Sequence, residues 1–107
     1  MADWNPKVDE EDEVLLAPKA SKVKPPPLYK VLLHNDDYTT MDFVTYVLQS
    51  IFGKDQDAAN RIMLAVHQQG VGVAGVYTYE IAETKIDKVI ELARSKEFPL
   101  MCTMEEE

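Results

Sequence analysis

The sequence predicts an α+β domain in the order βααβαβ, a three-stranded sheet with three helices on one face. Three observations carry this. Short Gly-free or small-residue runs of β-branched and aliphatic residues occupy 28–34, 71–77 and 100–104. Apolar stripes of helical period run between them, at Val44, Val47, Leu48 and Ile51, at Ala59, Ile62, Met63 and Val66, and at Ile86, Val89, Ile90 and Ala93. Helix stops sit where the stripes end, at Gly53, Gly70 and Phe98-Pro99.

Taken in order, residues 1–27 differ from the rest. They hold the acidic run Asp9-Glu10-Glu11-Asp12-Glu13, one apolar cluster at Val14-Leu15-Leu16-Ala17, and Pro25-Pro26-Pro27. Such a segment buries little and its proline triplet favours polyproline II, so a disordered N-terminal extension is expected before a domain at 28–107. In the first strand Tyr29, Val31 and Leu33 share one face and Leu28, Lys30, Leu32 and His34 the other. The first helix is expected over 41–52, capped by Thr39 with Asp42 as the reciprocal partner. The second, over 55–69, has Asp55 as its cap and His67 at the edge of its apolar stripe. The small residues of the second strand, Gly72, Ala74 and Gly75, allow a helix to approach closely. Thr78 caps a third helix over 79–97, the last strand is 100–104, and Glu105-Glu106-Glu107 reads as a solvated end.

Charge narrows the function. With a net charge of −8 and a pI of about 4.7, the chain suits neither a phosphate backbone nor an anionic membrane. The single Cys102 forms no intrachain disulfide and falls in a predicted interior strand. No apolar run has membrane-span length, and the acidic N-terminus resembles neither a secretory signal nor a transit peptide, so a cytoplasmic monomer is expected.

The chemistry gathers between the first strand and the first helix. Asn35, Asp36 and Asp37 are turn formers and acceptors, and Met41 and Val44 follow directly behind them. Acceptors at a mouth with apolar groups behind suit a ligand with a cationic head and an apolar body. Alone, each feature has a plainer reading: a solvated turn for the acidic residues, a helix-end cation for His67, core packing for Met41 and Met63. His34, Asp36, Asp37 and His67 could also hold a divalent ion in a small metal-dependent hydrolase, although no HExxH-like spacing is present.

The run from Tyr29 to Val44, with Met63-Leu64-Ala65-Val66-His67, Ala82-Glu83-Thr84-Lys85 and Pro99-Leu100-Met101-Cys102-Thr103 in the same order and spacing, resembles the ClpS family over roughly residues 25–105. The resemblance implies a fold similar to the C-terminal domain of the ribosomal stalk protein; a stalk-like interaction module is the other alternative. It also implies a non-enzymatic adaptor that recognises N-degrons, proteins beginning with Leu, Phe, Tyr or Trp, and hands them to the AAA+ unfoldase ClpA of the ClpAP protease. By position it implies that Asn35, Asp36 and His67 surround the substrate's α-amino group. Asp37, Thr39, Met41, Val44, Met63, Val66 and Leu100 would form the pocket for the first side chain, and Glu80 and Lys85 would face the unfoldase. No cofactor or metal is implied. His34 departs from the family pattern and is expected to flank the amine site.

The physical chemistry agrees with this reading. An α-ammonium has three donors and a positive charge, whereas an internal peptide bond has one N–H and none. An unmatched buried acceptor costs about 1–3 kcal/mol, which supplies selectivity for chain ends. Flexible, polarizable methionines accommodate aromatic and leucyl groups alike. Discounted for association entropy, a Kd in the micromolar range, about −8 kcal/mol, follows.

Overall fold

In a computed structural model, which describes residues 24–107, strands and helices follow one another in the expected order βααβαβ. Strand β1 is Leu28–His34, helix α1 Met41–Ser50, helix α2 Gln56–Gln69, strand β2 Val71–Thr78, helix α3 Tyr79–Ser95 and strand β3 Met101–Glu106. Most of the expected extension lies outside the described residues; residues 24–27 are exposed and irregular.

The sheet order is β2-β1-β3, antiparallel throughout, with β1 in the middle. Val31 and Leu33 are fully buried against Val47 and Leu48 of α1, Ala59 and Val66 of α2, and Ala82 and Val89 of α3. Fully burying one such side chain contributes about 1.5–3 kcal/mol, so this single layer of contacts is the main source of stability. Val71, Val73, Val76 and Met101 belong to the opposite set and stay exposed, which puts all three helices on one side of the sheet.

Several boundaries differ from the sequence reading. Helix α1 ends at Ser50 rather than Phe52: Gly53 turns left-handed at φ 65° and the Lys54 N–H closes on the Leu48 carbonyl at 3.0 Å. Helix α3 ends at Ser95, where Glu97 takes a left-handed φ of 64°, and the N–H groups of Glu97 and Phe98 close on the Arg94 and Ala93 carbonyls at 3.0 and 2.9 Å. That is a Schellman closure made without glycine. Phe98 then packs on Phe43, ring centroids 4.9 Å apart. Strand β3 begins at Met101 and runs on through Glu105 and Glu106, which pair with Lys30 and Tyr29, and the Glu107 N–H reaches the Leu28 carbonyl at 2.9 Å. The acidic end is therefore solvated only at its side chains. Strand β3 is an edge strand, not an interior one, although Cys102 is itself 6% exposed and burial pushes its thiol up to about 12.

Gly72 is what brings α2 onto β2. A Cβ there would lie 2.7 Å from Val66 Cγ2, closer than packed carbons come, and a tight 3.1 Å from the Ile62 carbonyl oxygen.

Candidate functional site

The turn between β1 and α1 is built around Asp36. Its Oδ1 accepts the N–H groups of Tyr38 and Thr39 at 2.8 and 2.7 Å, and its Oδ2 accepts the Thr39 hydroxyl at 2.6 Å. Burial pushes the Asp36 carboxyl up, but the Thr39 hydroxyl and the Thr39 and Tyr38 N–H groups together outweigh it, holding the group below its ordinary value of 3.8. This bonding corrects the helix cap. Thr39 is spent on Asp36, so Thr40 caps α1, its side chain accepting the Phe43 N–H at 3.1 Å. The cap of α2 is Asp55 as expected, bonded to the Ala58 N–H, whereas Thr78 occupies the cap position of α3 without a side-chain bond.

A second tie sets the far wall. The Asn35 N–H donates to the Gly70 carbonyl at 2.9 Å. Gly70 ends α2 in the left-handed conformation, φ 91°, so the last turn of that helix, carrying His67, is held beside Asn35.

Between the turn and α2 lies a cavity of about 410 Å³ lined by Asn35, Asp36, Asp37, Tyr38, Thr39, Thr40, Met41, Val44, Met63, Val66 and His67. All the expected substrate-binding residues meet there except Leu100. That residue is 5% exposed in the core and lines a separate depression with Ile90, Phe98 and Met101. Tyr38 and Thr40 are lining residues that the sequence reading missed; the signal available was an aromatic residue inside a polar turn, with nothing nearby for it to pack on.

The cavity is polar at one end and apolar at the other. Among the described residues the side chains of Asn35, Asp37 and His67 have no hydrogen-bonding partner. Val44 and Val66 are buried, Met63 is half-buried and Met41 is 47% exposed at the opening. Among the described residues Asp37 is thus the cavity carboxylate without a bond, whereas Asp36 spends three acceptor positions on its own turn.

His34 is not at this site. Its Nε2 lies 2.8 Å from Thr103 Oγ1, on the sheet face away from the helices. With His34 removed the metal alternative loses its ligand set: among the described residues no three His, Cys, Asp or Glu side chains converge.

Glu80 is exposed in the first turn of α3, beside a cavity of about 420 Å³ that also involves Pro26, Pro27, Tyr29 and Tyr79. Lys85 turns inward: its Nζ donates to the Ile51 carbonyl at 2.8 Å and lies 5.3 and 5.8 Å from the ring centroids of Tyr77 and Phe52. Its charge thereby caps the end of α1 and sits over aromatic faces. Among the described residues no helix is long and apolar enough to cross a membrane.

Comparison with known proteins adds the following. The family model described as ATP-dependent Clp protease adaptor protein ClpS matches residues 24–103. The ClpS adapter of Rhodospirillum centenum is 50% identical over the full length of both chains. That of Aromatoleum aromaticum is 53% identical over 90% of this chain and 94% of its own. That of Caulobacter vibrioides is 59% identical over 80% of this chain and 79% of its own. Among solved structures, Agrobacterium tumefaciens ClpS2 bound to L-phenylalaninamide superposes with a TM-score of 0.75 at 44% identity, covering 78% of this chain and all of that one.

Proposed function

The chain belongs to the ClpS family of ATP-dependent Clp protease adaptors, and on that premise we propose that it captures proteins by a free α-amino group and a first side chain of Leu, Phe, Tyr or Trp. It then delivers them to the AAA+ unfoldase ClpA for degradation by ClpAP in the cytoplasm, performing no chemistry of its own. The observation that carries the reading is the two-ended cavity: acceptors at Asn35, Asp37 and His67 that have no partner among the described residues, and apolar walls at Met41, Val44, Met63 and Val66. The ligand of the ClpS2 neighbour, L-phenylalaninamide, has an amino group and a benzyl side chain on one carbon, the pairing this cavity suits.

The roles divide by what each side chain has left to offer. Asp37 supplies the negative charge for the ammonium, Asn35 an amide oxygen and His67 a ring nitrogen. Asp36 shapes the turn that presents them, with Thr39 as its partner. The first side chain enters toward Val44 and Val66, and Met41 closes the opening over it. Leu100 acts behind this wall by holding the core beneath it. The unfoldase contact centres on Glu80, and Lys85 steadies that surface from within. Residues 28–107 are the binding domain and residues 1–27 an extension that serves delivery.

The test is fluorescence anisotropy with peptides that differ only at the first residue. Leu, Phe, Tyr and Trp peptides should bind with micromolar or tighter Kd and Ser or Asp peptides at least about tenfold more weakly, the worth of a buried apolar side chain. Indifference to the first residue would defeat the proposal and favour a stalk-like surface on the helices instead.

A further inference from the structure

Tyr38 is the feature of the site that the capture of a first residue leaves unused. Its ring lines the cavity yet is 75% exposed, the highest exposure among the large apolar and aromatic side chains of the described residues. The backbone beneath it is fixed, because the Tyr38 N–H and the following Thr39 N–H both end on Asp36 Oδ1 at 2.8 and 2.7 Å. No aromatic neighbour within the described residues stacks on it. A large ring held on a rigid turn at the mouth, with most of its surface open, is pre-organised contact area of the kind that binding sites use.

Geometry says what it would contact. The amino group and the onward carbonyl carbon of the first residue are bonded to the same Cα. With the side chain swallowed between Val44 and Val66, the chain must leave past the polar rim. Of the rim residues Asn35, Asp37, Tyr38 and His67, the first, second and fourth are acceptors engaged by the ammonium, and only Tyr38 offers apolar area. In an extended chain successive side chains point to opposite sides and repeat every second residue. If the first side chain points into the protein, the second points away and the third points back, about 7 Å further along. We infer that Tyr38 forms a subsite for the third residue of the bound polypeptide, with a preference for an apolar or aromatic side chain there. This rests on the free-amine reading above and extends it from one residue to three.

The test uses the full chain and four peptides carrying a C-terminal fluorophore: Leu-Ser-Ser-Ser, Leu-Ser-Phe-Ser, Leu-Phe-Ser-Ser and N-acetylated Leu-Ser-Ser-Ser. Phe in third place should tighten binding by about three- to tenfold, the size of one aromatic pair. Phe in second place should do so by less than about twofold, since it faces solvent. In Tyr38→Ala the third-place advantage should vanish, and in Tyr38→Phe it should persist because the ring, not the hydroxyl, makes the contact. No advantage at the third place, an equal or larger one at the second, or one that survives in Tyr38→Ala overturns the inference. If Tyr38→Ala weakens every free-amine peptide by one common factor, the ring is only a wall of the first-residue cavity and the subsite is likewise rejected. The acetylated peptide keeps the two claims apart. If it binds as well as its free form, the free-amine reading itself fails; if it binds worse while third-place Phe adds nothing, only the subsite fails.

Discussion

Two adjacent aspartates with the same side chain do different work here, and hydrogen bonding decides which does what. Asp36 accepts three bonds from its own turn, so its removal unravels the loop that positions Asn35 and Asp37. Asp37 accepts none among the described residues, so its removal deletes a charge and leaves the loop standing. Asp36→Ala should therefore lower both stability and affinity, whereas Asp37→Asn should leave the urea midpoint within experimental error. Asp37→Asn should weaken a Leu peptide by at least about tenfold, at the low end of losing one partner of a close charge pair. Titration calorimetry beside urea melts separates them; equal stability loss in both variants would contradict the division. Asp36 also sets an acid limit. Its folded pKa lies below the ordinary 3.8, so its contribution is complete above that value and is lost as pH falls through the lower folded one. In Asp36→Asn that part of the acid destabilisation should disappear. The sequence made the cluster legible but not the split, because Thr39 and Thr40 are equally good caps on paper. Only the three-dimensional turn shows that Thr39 is taken.

At the scale of elements, the helices and strands were legible from period and stop signals, and their ends less so. Helix α3 stops before Phe98-Pro99 as read, but its closure uses Glu97 in a left-handed conformation, which no sequence signal marks because glycine is the usual occupant. Glu97→Gly should raise stability by about 0.5–1 kcal/mol, measured by urea denaturation, since the strain of a Cβ at positive φ is removed. A lower midpoint would show that the Glu97 side chain contributes more than its backbone strain costs. The acidic C-terminal residues were read as solvated because of their charge, yet their N–H and C=O groups complete the ladder with β1. Composition reports on side chains, and the backbone pairs regardless. Gly72 links an element to the site. Gly72→Ala must push Val66 and the Ile62 turn outward, costing about 1–3 kcal/mol by overpacking. Because Val66 lines the cavity, affinity for a Leu peptide should fall with it. Unchanged affinity at reduced stability would mean that α2 moves as a unit and carries the cavity wall along.

For the whole molecule, strand order and the position of His34 were beyond the sequence. The pattern of apolar residues states which face of a strand is buried, not which strand is its neighbour. Once β1 is central, every second residue of it, His34 included, faces away from the helices, and the cavity is left to the turn and α2. The negative charge that disfavours nucleic acid extends to the site, whose described lining residues include two aspartates and no Lys or Arg. All of this converges on a claim about chain ends. In the proposed function the cavity takes an ammonium group and an adjacent side chain together, and acetylation removes the charge and two of the three donors while leaving everything else in place. The decisive measurement is the Kd of one Leu-initiated peptide with its N-terminus free and acetylated, in the same buffer. The account predicts at least about tenfold weaker binding after acetylation, since acceptors left unmatched cost about 1–3 kcal/mol each. Equal affinity for the two forms would contradict it.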